Sequence, residues 1–454
     1  MAQIICITTG LTGVLHASFE VVSRLKQAGH QVIYACPWDV EEKVTRQGFD
    51  YLQLAPVNFD PAPDLPDVRG GPFIRWRRMG NRLMKARERR AKAIEALGMD
   101  EFVKVLDTLN PDLILIDLEL HDYILTAIGN KTPTVLLSQW FSLWERPNLP
   151  PVNQSTIPGI SWKGHRLGIK LAWLKIRIKR IRSVWKKRLL TAFTDRGSIL
   201  LHYAKQVSFP TKELIEYHAF PPPLTYRTLP VISLTAWELE FPHKPRPNLF
   251  YVGPMVYVDR QDTSENAGVD KQLAQIFKAR QEQKSKLIYC SLSTFQKGDK
   301  EFVKRVVEAV SDRPDWQLII GLGGLIEEGF LEDPPENVHA FGWVPQLQVL
   351  RQADCSINHG GIHTINECIH FGVPMLIYSG KRHDQDGCAA RVSFHGVGIM
   401  ADKDVDDARM IQSRIETILT DPSFKARINE INMKISKQKD QLVKVVEHFL
   451  EAQV

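Results

Sequence analysis

The residues best suited to chemistry lie in the stretch 341–392. His359-Gly360-Gly361 comes directly after the apolar run Cys355–Asn358 and opens a segment of helical character that carries Thr364 and Glu367. Glycines let a strand-to-helix turn come close to a ligand. The first turn of the helix presents unpaired N–H groups at its positive dipole end, and both features suit a phosphate. Glu367 lies one turn inside that helix, where a carboxylate can accept hydrogen bonds from ribose hydroxyls. Trp343 begins a loop and offers a flat face for a base to stack on. Taken singly, a strand followed by Gly-Gly is more often a tight turn, and a lone tryptophan more often packing. The ordered set is what points to a nucleotide.

Trp343, Pro345, Gln346, His359, Gly361, Thr364, Glu367, Gly372, Pro374, Asp384 and Gln385 fall in that order along the chain. The set resembles the nucleotide-sugar signature of the UDP-glycosyltransferase family: W-x-P-Q, a strand, H-x-G-x-x-[ST]-x-x-E, G-[VI]-P and D-Q. The resemblance is strong over residues 250–395 and holds in outline over the first half. It implies an α/β chain with the GT-B fold, two Rossmann-like doubly wound domains facing a central cleft. It also implies a role for each matching residue. Trp343 stacks on uracil and the backbone of Val344 bonds its edge. Gln346 and Glu367 hold the ribose, and His359, Gly361 and Thr364 bind the diphosphate. Asp384 and Gln385 contact sugar hydroxyls, and the match at Gln385 makes glucose the expected hexose. Ser291-Leu292-Ser293-Thr294 stands where the family has S-F-G-[ST], which makes Thr294 the implied phosphate ligand although Ser293 replaces the usual glycine.

The implied reaction is inverting transfer of a hexose from a UDP-sugar to an acceptor hydroxyl, with no metal and no further cofactor. Asp384-Gln385-Asp386 also spells D-x-D, the metal–diphosphate motif of the other large glycosyltransferase fold. Inside the D-Q match it reads as a sugar contact, since a helix N-terminus can neutralise the leaving diphosphate. Attack by the hydroxyl needs a base. In the family this is a histidine after the first strand, oriented by an aspartate after a later one. Aligning the helix through Leu25 and Gly29-His30 puts Val14 at the base position, with His16 two residues on. A loop-length difference of two would restore His16; otherwise His16 simply sits in the first turn of the helix. Asp117, at the end of the run Leu113–Ile116, matches the aspartate position. His121 and Asp122 stand behind these two as further candidates. Val14 keeps open a non-catalytic UDP-sugar-binding homologue or partner subunit, and a UDP-sugar hydrolase or epimerase on the same fold is the other alternative.

These residues need a scaffold, and the chain supplies alternating strand and helix patterns, which argue for mostly parallel sheets. In the first half, Ile4–Thr8, Gln31–Ala35, Leu113–Ile116 and Thr134–Leu137 read as strands, with a helix over Ser18–Ala28 closed by Gly29. In the second half the strands are Leu287–Ser291, Gln317–Gly321, Val338–Phe341, Cys355–Asn358, Pro374–Tyr378 and Gly398–Met400. A proline-punctuated stretch over 225–247 reads as the linker. The expected domains are an acceptor-binding domain over 1–235, a nucleotide-sugar-binding domain over 236–425, and a C-terminal helix over 426–454 that packs back toward the first.

The length of 454 residues suits two domains. No run of about 18 apolar residues suggests a spanning helix, and the N-terminus reads as a buried strand, not a secretory signal. Six scattered cysteines, none in C-x-x-C, suit a reducing cytoplasm better than disulfides or zinc. The net charge of +6 is uneven: residues 1–240 hold 32 Lys+Arg against 23 Asp+Glu, so an anionic partner would meet the first half.

Much of that charge lies in 166–188, where Leu167, Leu171, Leu174, Ile178, Ile181 and Trp185 recur at helical spacing among basic residues, with no acid between Glu145 and Asp195. A second basic patch runs from Phe73 to Arg90. Two readings stand. The helix docks on an anionic membrane surface, which would favour a small lipophilic acceptor and peripheral attachment, or it packs its apolar stripe into the first domain. No reading module surrounds it, so nucleic acid is not an expected partner.

Overall fold

The computed structural model describes residues 1–56, 80, 84–216, 223–261, 267–291, 300–323, 328–331 and 333–452. Strands β1 (Gln3–Ile7), β2 (Gln31–Cys36), β3 (Asp50–Gln53), β4 (Leu113–Asp117) and β5 (Thr134–Ser138) open a parallel sheet. A short antiparallel pair follows, β6 (Leu214–Ile215) with β7 (Thr225–Tyr226). The first sheet is then completed by β8 (Val231–Ser233) and β9 (Leu249–Tyr251), in the order β3-β2-β1-β4-β5-β8-β9. A second parallel sheet uses β10 (Lys286–Ser291), β11 (Trp316–Gly321), β12 (Val338–Phe341), β13 (Cys355–Asn358), β14 (Met375–Tyr378) and β15 (Gly398–Ala401), in the order β12-β11-β10-β13-β14-β15. β4, β5, β11, β13 and β14 are buried along their whole length. Helices covering both faces of a parallel sheet require this, and it explains why the strands read as continuous apolar runs.

Strand order reverses between β1 and β4 in the first sheet and between β10 and β13 in the second. Open α/β sheets bind ligands at the carboxyl ends of the strands beside such a reversal. The loop leading to His16 follows β1, and Asp117 ends β4. Across the molecule, Ser291 ends β10 and His359 follows β13. Topology thus turns the residues singled out in the two halves toward one cleft.

Three expectations need correction. The segment 225–247 is not a bare linker, because β8 pairs with β5 and β9 with β8, so the first domain runs past 235 through Tyr251. Two apolar triplets between prolines are too short to show a period, and only pairing with a formed sheet makes them strands. The C-terminal segment is two helices, not one. Ser423–Ser436 buries Ile428 and Ile431, and packs both on the helix Ile362–Phe371, where Asn432 Nδ2 donates to Ile369 O at 2.6 Å, and on Trp237–Leu239 between β8 and β9. Gln441–Glu451 docks on the first domain, where Leu442, Val445 and Val446 share a core with Leu15, Phe19, Val22 and Leu25 of the helix Thr12–Gln27. Each such buried side chain stabilises this docking by about 1.5–3 kcal/mol.

The third correction concerns the basic helix, which spans Arg166–Thr191. Its buried residues are Gly168, Ile169, Trp173 and Arg188, with Trp173 Nε1 donating to Leu149 O at 2.7 Å. The leucine stripe is not packed into the first domain: Leu167, Leu171, Leu174, Ile178 and Trp185 are exposed. The earlier basic patch over 73–78 and Arg82 lies outside the described residues.

Candidate active site

β13 ends at Asn358, whose Oδ1 accepts from Gly360 N at 2.9 Å and so folds the turn back on the strand. Gly360 has φ +83°, open only to a residue without a side-chain penalty there. Gly361 then caps the helix Ile362–Phe371, and a Cβ on it would lie 2.8 Å from His359 Nε2. His359, Gly361 and Thr364 therefore gather at a helix start whose N–H groups face the cleft. Half-exposed Trp343 follows β12 at the mouth, and the next residue, Val344, is buried beside it. Tyr289 donates to Gln346 Oε1 at 3.2 Å, and Gln346 Nε2 donates to Glu367 Oε2. Asp384 and Gln385 start the helix Gln385–Phe394 and are both buried. Burial pushes Asp384 up to about 6. Asp386 points elsewhere, accepting from Ser379 Oγ at 2.6 Å.

The opposite wall comes from the first domain. The helix after β1 begins at Thr12, six residues before the expected start, so His16 sits in its second turn and not in a loop. It still lines the cleft, as do Val14 and Asp117. The two residues expected to act together are not hydrogen-bonded to each other: Asp117 Oδ1 accepts from Glu119 N at 3.0 Å, while His16 Nδ1 accepts from Arg260 Nη1 at 2.8 Å. Burial, and then the charge of Glu119, push Asp117 up to about 8. Glu119 is raised as well, chiefly by burial, and accepts from Trp140 Nε1 at 3.1 Å. His121 is buried away from the cleft against Tyr226 Oη at 2.9 Å, and Asp122 is buried facing Arg196 at 3.5 Å.

Arg260 links the two walls. Its Nη1 lies 2.7 Å from Glu367 Oε1 as well as 2.8 Å from His16 Nδ1, and its side chain is buried. A guanidinium only donates, so the His16 ring nitrogen facing it is the bare one and the ring proton sits on Nε2. Burial first, then Arg260, His363 and Lys43, hold His16 well below the ordinary histidine value. His363 is pulled down to about 4 by burial and by Arg260. It packs where a Cβ on Gly13 would lie 2.6 Å from its Cδ2, so the missing side chain at Gly13 is what lets the two domains meet here. Gln139, 5% exposed, leaves both amide atoms without a partner, and Thr9 Oγ1 and Ser291 Oγ do the same. Unpaired buried polar groups are costly, and these line the cleft.

The cleft encloses about 520 Å³, within the range of small-molecule sites. It brings together His16, Asp117, Trp343, Val344, Gln346, His359, Gly361, Thr364, Glu367, Asp384 and Gln385. Thr294 lies outside the described residues. Sequence reading missed Arg260, Gln139, Trp140 and His363. Only His363 carried a signal, as an unassigned position inside the glycine motif. Arg260 and Gln139 stand in no motif, and their place follows from how the domains meet.

Residues 311–446 match the family described as "Erythromycin biosynthesis protein CIII-like, C-terminal domain". Over 155 residues the chain is 31% identical to an uncharacterized UDP-glucosyltransferase, YdhE, of Bacillus subtilis (strain 168), which covers 34% of this chain and 39% of that protein. The chain thus spans about two fifths of the length of the relatives it first matches. It is also 24% identical over 445 residues to the oleandomycin glycosyltransferase of Streptomyces antibioticus, covering 96% of this chain and 88% of that one. Among solved structures, the glycotransferase of kitacinnamycin superposes with a TM-score of 0.67 over 99% of both chains at 19% identity, a likeness of fold. With the signature residues gathered at one cleft between two doubly wound domains, the chain is similar to glycosyltransferases and has the GT-B fold.

Proposed function

We propose that this protein transfers a hexose, glucose by preference, from a UDP-sugar to a hydroxyl of a small lipophilic acceptor, with inversion and without a metal. The observation that carries the reading is the division of the cleft. Trp343, Gln346, Glu367 and the helix start at His359–Thr364 form one wall, where the nucleotide would lie, and Asp384 and Gln385 also line the cleft, where the sugar would sit. His16 and Asp117 face them from the other domain. The diphosphate leaves onto the N-terminus of Ile362–Phe371, whose free N–H groups and dipole, with Arg260 nearby, take up its charge. Six buried free thiols suit a cytoplasmic setting.

For His16 to take the hydroxyl proton at Nε2, the ring proton has to move to Nδ1, and that atom is held by Arg260. Ribose hydroxyls compete with Arg260 for Glu367, so donor binding is the event that loosens this contact. The same contact supports a second reading, a UDP-sugar-binding protein without turnover, because the His16–Asp117 pair is not made.

Calorimetric titration with UDP, UDP-glucose and dTDP-glucose, with and without magnesium, tests the donor assignment. Micromolar binding of the uridine ligands that is unaffected by magnesium and lost in Trp343→Ala supports it; equal binding in that variant sinks it. Product formation over a panel of lipophilic alcohols, with the anomeric configuration read by NMR, then separates transfer from binding alone. UDP-glucose consumed without any acceptor would identify a hydrolase or epimerase instead.

A further inference from the structure

The helix Arg166–Thr191 plays no part in the cleft, yet it carries a long run of positive charge with no acid to offset it. Its ten basic residues and absence of acids make it unlike the other helices of the described residues. At ~100° of turn per residue, Leu167, Leu171, Leu174, Ile178, Trp185 and Leu189 fall within one stripe roughly 60° wide. All six lie between 37% and 69% exposed. The helix rests on the protein by its other side, through Ile169 and Trp173. Lys175, Lys179, Arg182 and Lys186 run along one edge of the stripe. Arg166, Lys170 and Arg177 run along the other, Arg177 paired to Glu145. Ile160 and Trp162, both 61% exposed, extend the apolar surface just before the helix begins.

We infer that this face docks the protein on an anionic membrane surface, with the helix lying along the bilayer plane. An apolar stripe with cations on both edges matches that layered solvent: side chains of the stripe enter the acyl boundary, and the flanking cations meet lipid phosphates at the same depth. Charge decides between occupants. A second copy of the chain would set two basic rows against each other, and the back of the helix already holds the intramolecular packing. Residues 146–194 contain no carboxylate to offset the repulsion. No helix among the described residues is long and apolar enough to cross a membrane, so attachment would be to one leaflet.

The test is co-sedimentation of the full chain with vesicles of phosphatidylcholine alone and of an equal phosphatidylcholine–phosphatidylglycerol mixture, at low and high salt. Expected is binding to the anionic vesicles that falls about tenfold or more at high salt or on neutral vesicles. Leu174→Ser with Ile178→Ser, and separately Lys175→Glu with Arg182→Glu, should each weaken vesicle binding by about tenfold. Both variants should keep the melting temperature and UDP affinity, which separates failure of this inference from failure of the donor reading. Absence of binding to either vesicle overturns the proposal. So does wild-type dimerisation that the same substitutions abolish, which would make the stripe a protein interface.

Discussion

Arg260 illustrates how one side chain sets the state of several others. Its guanidinium satisfies Glu367 and occupies His16 Nδ1, so the Glu367 carboxylate and the candidate base are tied to a single cation. Removing it in Arg260→Ala takes away a positive charge, so His16 should titrate higher than in the wild type. It should remain below its ordinary value because burial is the larger cause. Histidine NMR titration of the two proteins checks this, and an unchanged His16 titration would contradict the contact. Asp117 gives a second pH test. An unfolded aspartate titrates near ~4, whereas the folded value is pushed up to about 8. Since the unfolded chain releases its proton first, stability is lost as pH rises from ~4 to ~8. The variant Asp117→Asn lacks this loss. Its melting temperature should rise relative to the wild type across that window, and the relative gain should vanish below ~4. A constant difference at all pH values would mean the carboxyl is not buried as described.

At the scale of elements, the helix Gln385–Phe394 carries the expected sugar contacts at its start and depends on a close approach from the other domain. A Cβ on Gly387 would lie 1.9 Å from Val152 O, a backbone atom that cannot step aside. Gly387→Ala should therefore displace the helix start, lower stability by about 1–3 kcal/mol and weaken UDP-glucose binding more than UDP binding. Calorimetry with both ligands reads the difference, since UDP lacks the sugar that the proposed reading sets against Asp384 and Gln385. Equal weakening would place the damage in the nucleotide wall instead. The helix Thr12–Gln27 shows the opposite economy. Leu15, Phe19 and Val22 bury one face at helical spacing, and this same frame leaves His16 turned to the cleft, so core packing sets where the candidate base can reach.

For the molecule as a whole, the two domains are held at a fixed separation by a buried ion pair as well as by the C-terminal helix. Glu240, wholly buried, accepts from Arg391 Nε at 2.7 Å and from Ser142 N at 2.9 Å. The Arg391 guanidinium lies 4.6 Å from the Phe141 ring centroid and 4.5 Å from that of Phe241. This one contact joins the loop after β5, the segment following β8 and the helix bearing Gln385. Arg391→Leu leaves a buried carboxylate unpaired and should cost about 3–5 kcal/mol, whereas Arg391→Leu with Glu240→Leu should recover part of it. Chemical denaturation of the three proteins decides the point; if the double variant is no better than the single one, packing and not charge carries the contact.

Most of the strands, and the grouping of the second domain's cleft residues, were legible in the sequence. Buried parallel strands read as apolar runs, and the glycine turn, Thr364 and Glu367 lie close together along the chain, on one strand-to-helix connection. Local periodicity and local spacing suffice for such features. The remainder depends on pairs far apart in sequence. β8 and β9 become strands only against β5, and His363 meets Gly13 only when the domains close. Arg260 reaches both His16 and Glu367 from a segment with no pattern of its own. The apolar stripe of Arg166–Thr191 is plain in the sequence, but spacing alone cannot say which side of a helix the protein covers. Only the tertiary structure decided that the helix is held by Trp173 and its neighbours, leaving the leucines outside.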